Sequence, residues 1–262
     1  MPRNDAPPDG EDVSEPRDRT IRLGDQEIFY EATGTLGGPN FVLVHGIGRG
    51  HTVFRGLARE LAVVGRVFAL DLPGFGESPE PPIPRTMADS GDLIVAFVEH
   101  LGIDDPLLVG HSMGTQVVAE AVARHPAICD RVVLISPTVN ASERTAWRQA
   151  WRMLQDLIDE NPRVIWLGAL QYIKTGPRWF LRKLRVMLDH RIELTLPEVR
   201  ADALVLRGAD DRVCPHEWVV EVTRLLPRAH MREIPERGHE AMIANPAPVA
   251  RMILAHARGE FR

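Results

Sequence analysis

Cysteine is almost missing from this chain of 262 residues. Only Cys129 and Cys214 occur, too few for a disulfide framework, so a reducing, cytoplasmic setting is expected. An excess of positive charge is missing too. The 31 Lys and Arg against 36 Asp and Glu leave a formal charge of −5, which argues against a nucleic-acid partner. No run approaches the roughly eighteen apolar residues of a membrane span, so no membrane partner is expected. No internal repeat occurs. The first nineteen residues hold four prolines, six acids and three arginines and lack the apolar segment of a secretory signal. Such a stretch buries too little to offset its ordering entropy, and 1–19 is read as a disordered acidic tail.

What is present is ordinary globular composition, 44% hydrophobic and 26% charged. The length supports a core without metal or disulfide staples.

From Thr20 onward short apolar runs alternate with longer helical stretches. Residues 21–23 and 27–33 read as a hairpin turning at Gly24-Asp25. Continuous apolar runs at 41–44, 66–70, 107–109, 131–135 and 203–206 read as strands buried on both faces, with a short strand at 230–234. Helices are expected at 51–64, 87–101, 113–124, 216–225 and near 247–257. The alternation predicts an α/β protein, a parallel sheet covered by helices on both faces. The stretch 137–197 interrupts it. It carries four of the five tryptophans (Trp147, Trp151, Trp166, Trp179), with Tyr172 and Phe180, and no strand-like run. Pro162 and Pro177 divide it into about three helices, and it is read as a helical insertion over one end of the sheet.

The sharpest local signal is Gly110-His111-Ser112-Met113-Gly114, directly after the strand 107–109 and opening a helix. With 21 glycines in 262 residues, about 0.04 of the six serines would stand between glycines at this spacing by chance. The context is that of a nucleophile elbow, a serine on a strained strand-to-helix turn with glycines leaving it room. A serine at its normal pKa is a poor nucleophile, so a base and an orienting acid must accompany it, in the chain order acid, then histidine. The strand 203–206 runs into Gly208-Ala209-Asp210-Asp211-Arg212-Val213-Cys214-Pro215. The strand 230–234 runs into Pro235-Glu236-Arg237-Gly238-His239-Glu240. His239, in the loop after the last strand, is the expected base. His45 and His111 are read as backbone-packing residues. One oxyanion donor is expected from the backbone N–H of Met113, the residue after the nucleophile.

Four motifs in order, His45-Gly46-Ile47-Gly48, Asp71-Leu72-Pro73-Gly74-Phe75-Gly76-Glu77-Ser78, the elbow and Gly238-His239, make residues 20–258 resemble the α/β-hydrolase superfamily. The resemblance implies an eight-stranded, mostly parallel sheet with a helical cap inserted after the sixth strand. That divides the chain into a core of 20–136 and 198–262 and a cap of 137–197. It also implies that the acid is the fourth residue of Gly-x-x-Asp-x-x-x-Pro, which is Asp211, and that the second oxyanion donor is the N–H of Ile47. Asp71 is read as structural, in a glycine-rich loop shaping the site wall.

Arg178, Arg182 and Arg185 recur at helical spacing and are read as a solvated helix face. The tryptophans are expected mainly to pack helices onto the sheet, and the cysteines to be packing residues. The whole predicts a serine hydrolase acting on a small, largely apolar carboxylic ester, with a small-molecule substrate as its partner and no metal or organic cofactor. The alternatives on the same triad are lactonase or perhydrolase chemistry and carbon–carbon bond hydrolysis of a vinylogous diketone acid. The carbon–carbon group usually has asparagine before the nucleophile, where His111 stands here. A non-enzymatic ligand receptor on this fold is the remaining alternative.

Overall fold

The structure, a computed structural model, describes residues 13–148, 151–152 and 176–261. Eight strands form one sheet in the order β1-β2-β4-β3-β5-β6-β7-β8. They are β1 Val13–Leu23, β2 Gln26–Gly34, β3 Asn40–Val44, β4 Arg66–Leu70, β5 Pro106–His111, β6 Arg131–Ile135, β7 Asp202–Gly208 and β8 Ala229–Ile234. β1 and β2 pair antiparallel, as does β2 with β4, while all pairings from β4 through β8 are parallel.

The continuous apolar runs follow from burial on both faces. In β3, Val42 and Val44 join one core and Phe41 and Leu43 the other, since successive side chains alternate. On the first face lie α2 Met87–His100 and α3 Met113–Arg124, packed so closely that a Cβ on Gly91 would come 2.7 Å from the Ala121 nitrogen. Thr86 caps α2 reciprocally with Asp89, the Asp89 amide donating to Thr86 Oγ1 at 3.0 Å. On the second face α1 Arg55–Ala62 packs against the helix Pro246–Ala257.

Two boundaries differ from expectation. The tail read as 1–19 gives way at Val13 to strand β1; residues 1–12 lie outside the described ones. The segment is polar and mostly exposed, so burial pattern could not reveal it. Its order comes from the β2 ladder, in which Arg17 pairs with Ala32 and Leu23 with Gln26. Pro16 falls where the register shifts between Val13 and Arg17, on the sheet edge, where a missing N–H costs least. The helix expected at 51–64 is a 3-10 turn, His51–Phe54, followed by α1.

Between β6 and β7 the described elements include 3-10 turns at Ala141–Glu143 and Leu196–Glu198 and the helices Pro177–Asp189 and Ile192–Thr195, and no strand is among them. Pro177 opens its helix at the position where proline's lost N–H has no helical partner anyway. Arg178, Arg182 and Arg185 are exposed on that helix. Its opposite face buries Trp179, Lys183 and Met187. Lys183 Nζ donates to the Arg85 carbonyl at 2.7 Å, and burial pulls its pKa down to about 8. Trp179 closes on the Gly74 loop, where a Cβ would meet the indole at 2.2 Å. Trp147 and Trp151, expected to pack, are instead exposed. Pro162, Trp166, Tyr172 and Lys174 lie outside the described residues.

Candidate active site

At the carboxyl end of β5 the chain must turn at once into α3, and Ser112 makes that turn at φ 52°, ψ −119°. A residue with a Cβ rarely adopts positive φ, and doing so stores strain. The flanking glycines are dictated by contact. A Cβ on Gly110 would lie 2.5 Å from the Gly114 oxygen, and one on Gly114 would lie 2.1 Å from the Val44 oxygen. The Ser112 amide is tied to the Ile135 carbonyl of β6 at 3.0 Å, so the strained residue is held by the sheet. Met113 is the first residue of α3, where a backbone N–H has no partner within the helix and the helix dipole is positive.

Asp211 and His239 come together in the loops after β7 and β8. The Asp211 carboxylate oxygens lie 3.0 and 3.2 Å from His239 Nδ1, and each residue is 2% exposed. Asp210 is exposed. Burial pushes the Asp211 pKa up. The His239 charge and hydrogen bonds from His239, Ser136 and the Cys214 amide outweigh it, and the net shift is downward. Arg207, which the sequence reading passed over, staples this loop by donating to the carbonyls of Cys214, Ala209 and Asp211 at 3.0 to 3.1 Å. Gly208 is forced, since a Cβ there would strike the Arg237 and Gly238 carbonyls at 2.1 and 2.3 Å. Cys214 is buried beside the acid, its thiol pushed up by burial; Cys129 is also buried, with its thiol pushed up to about 12.

Ile47 sits in a turn after β3 that closes with the Arg49 amide donating to the Gly46 carbonyl at 3.3 Å. Gly48, third in that turn, has φ 67°, the sign a type II turn requires there. The inner end of the turn lies against the serine: a Cβ on Gly46 would be 3.0 Å from Ser112 Cβ and 3.4 Å from its Oγ. The turn that carries Ile47 thus lies against Ser112 through Gly46, and Met113 follows Ser112 in the chain.

Asp71 is a knot in the wall. Its carboxylate accepts from the His51 amide at 2.5 Å, His51 Nδ1 at 3.0 Å and the Glu77 amide at 2.8 Å. His45 joins two loops, Nδ1–H donating to the Gly46 carbonyl at 2.7 Å while Nε2 accepts the Leu72 amide at 2.9 Å.

A buried network beside the histidine carries no motif. Arg49 donates from Nε at 3.1 Å and Nη2 at 2.7 Å to Glu240 Oε1, with both residues buried. His111 Nε2 donates to the His239 carbonyl at 3.1 Å, leaving Nδ1 as acceptor. Burial is the main force on His111, taking its pKa down to about 4. Glu240 goes down to about 2, where the Arg49 and histidine charges overcome burial. Arg49 and Glu240 stand 191 residues apart, so no local spacing links them.

Known proteins share this fold. A sequence-family model described as alpha/beta hydrolase fold matches residues 39–164. The chain is 24% identical to the AB hydrolase superfamily protein YisY of Bacillus subtilis, over 82% of this chain and 89% of that one. It is also 24% identical to the pimeloyl-[acyl-carrier protein] methyl ester esterase of Chromobacterium violaceum, over 87% of this chain and 97% of that one. A thermophilic esterase from Thermogutta terrifontis shares the fold at a TM-score of 0.78 and 23% identity, covering 94% of this chain and 98% of the esterase.

Proposed function

The chain belongs to the α/β-hydrolase superfamily and is a hydrolase, and from that premise we propose that it cleaves a small, largely apolar carboxylic ester through an acyl-serine intermediate. The observation that carries the reading is the pairing of Asp211 with His239 Nδ1 at 3.0 Å, in loops that meet the strained elbow at Ser112. In this reading Ser112 Oγ attacks the ester carbonyl while His239 Nε2 takes its proton. Asp211 keeps the other ring nitrogen protonated and faces the imidazolium that forms. The N–H groups of Ile47 and Met113 receive the developing oxyanion. The tetrahedral intermediate collapses, the alcohol leaves with the proton from His239, and a water molecule repeats the sequence on the acyl-enzyme.

An apolar acyl group is supported by the apolar cluster to which Met113, the residue after the serine, belongs. Ile47, Phe75, Met113, Val139 and Trp179 are all buried in one continuous apolar cluster. The stretch 137–197 acts in this reading as a cap, with Trp179 contributing to the pocket roof. Among the described residues no helix is long and apolar enough to cross a membrane. The test is turnover of p-nitrophenyl esters from acetate to decanoate, with lactones and diketone acids in parallel. Short or medium acyl esters are expected to be turned over fastest. A diketone acid or a lactone preferred over every ester would replace the ester reading.

A further inference from the structure

We propose that the buried Arg49–Glu240 pair is a positioning clamp: it fixes the oxyanion turn against the histidine loop, and the charge of Glu240 helps set the pH range over which the site works. The inference rests on the serine-hydrolase reading above.

The geometry joins the two halves of the site directly. Glu240 follows His239 in the chain, and Arg49 closes the turn that holds Ile47. The inner end of that turn is pressed against Ser112 through Gly46, and its outer end is held by the two guanidinium hydrogen bonds to Glu240 Oε1. A pair of apolar side chains of similar volume would also hold two loops together, without the desolvation cost of burying two charges. Charge is therefore the property that needs explaining. A guanidinium on one carboxylate oxygen fixes direction as well as distance, and an oxyanion donor is effective only when placed to a fraction of an ångström.

The second effect is electrostatic. Asp211, His111, Glu240 and Arg49 bring charge or a titratable ring to His239 or its neighbour. Asp211 comes from the loop after β7 and His111 from β5, with its ring centroid 5.1 Å from that of His239. Glu240 comes from the same loop as His239, and Arg49 from the turn after β3. His111 stays neutral above about pH 4 because it is buried. Arg49 and Glu240 carry opposite charges side by side, and Asp211 adds a carboxylate at the ring itself. Removing the Glu240 charge takes away a negative charge that acts on the His239 ring, which disfavours the imidazolium. The acid limb of the kcat/KM profile then moves to lower pH. Replacing either partner with its like-charged homologue disturbs the geometry and leaves the charge balance intact.

The experiment compares Glu240→Gln, Glu240→Asp and Arg49→Lys with the wild type, on one ester from pH 4.5 to 9, with circular dichroism for folding and fluorophosphonate labelling of the serine. Glu240→Gln is expected to lose about tenfold or more in kcat with KM within about threefold, and to shift its acid limb downward. Arg49→Lys and Glu240→Asp should lose kcat with the limb unmoved. If Glu240→Gln does not fold, the two like-charge variants decide. A lower melting temperature with wild-type kcat and an unmoved limb in every folded variant makes the pair merely structural and overturns the proposal. A wild-type enzyme that is not labelled at all overturns the serine-hydrolase reading, and the clamp with it.

Discussion

Arg207 reaches across the loop after β7 and donates to the carbonyl of Asp211 at 3.0 Å, so the acid is held by its backbone as well as by the histidine it faces. The neighbouring carboxylate, Asp210, is exposed. The two residues should therefore respond very differently to loss of charge. Asparagine at the acid position keeps the size but supports the wrong histidine tautomer; in a serine protease the same change costs about 10⁴ in kcat. Asp211→Asn is expected to lose three to four orders of magnitude, roughly, and Asp210→Asn less than about tenfold. Steady-state kcat on one ester decides, and the reverse order would move the acid to Asp210.

Acid should unfold the protein in a defined window. The Glu240 carboxyl, held at about 2 against its ordinary 4.5, contributes stability that is complete above about pH 4.5 and lost as pH falls toward 2. Asp211 shifts in the same direction. Two and a half units correspond to about 3 kcal/mol for Glu240 as an upper figure. Melting temperatures from pH 7 to 3 should drop steeply below pH 4.5 in the wild type. Glu240→Gln should start lower at pH 7 and fall less. Parallel curves would show that Glu240 is not the group that titrates.

The elbow glycines should tolerate no side chain. Gly114→Ala would bring a Cβ within 2.1 Å of the Val44 carbonyl, a backbone atom that cannot yield without moving β3. The expected cost is about 4 kcal/mol or more, or no folded protein at all. Alanine at Gly24, where a Cβ meets nothing within 4 Å, should cost only the strain of φ 62°, about 1 kcal/mol. Urea unfolding of the two variants compares them, and equal stability would contradict the packing account.

Much of this was legible in the sequence for a physical reason. Strands buried on both faces must be continuous apolar runs, and an elbow must be flanked by glycines because carbonyl groups occupy the space of their side chains. Those constraints are local, and they led to the strands of the sheet and to Ser112 as the candidate nucleophile. β1 was not legible before residue 21, because an edge strand such as Val13–Leu23 needs only ladder partners and carries no burial pattern. Arg49 with Glu240, and Arg207 with the acid loop, were hidden for another reason. Their partners are backbone carbonyls or residues far away in the chain, and neither leaves a spacing to read. Exposure of Trp147 and Trp151 was misread because composition cannot tell which helix face a tryptophan occupies.

The cap reading predicts a change in selectivity rather than in chemistry. Trp179 covers Gly74 and belongs to the apolar cluster that includes Ile47 and Met113. Trp179→Ala is expected to shift the preferred acyl length by two or more carbons, roughly, while labelling of the serine stays within about threefold. An unchanged ranking across the ester series would remove Trp179 from the pocket.

The central claim is that Ser112 is the nucleophile. The most direct measurement is covalent labelling by a fluorophosphonate, read by intact mass and by the modified peptide, on the wild type and on Ser112→Ala. The account predicts one adduct on the wild type, located at Ser112. It predicts no adduct on the folded alanine variant and a loss of turnover of about 10⁴ to 10⁶. An adduct on Ser112→Ala at the wild-type rate, or turnover that survives the substitution, would contradict it.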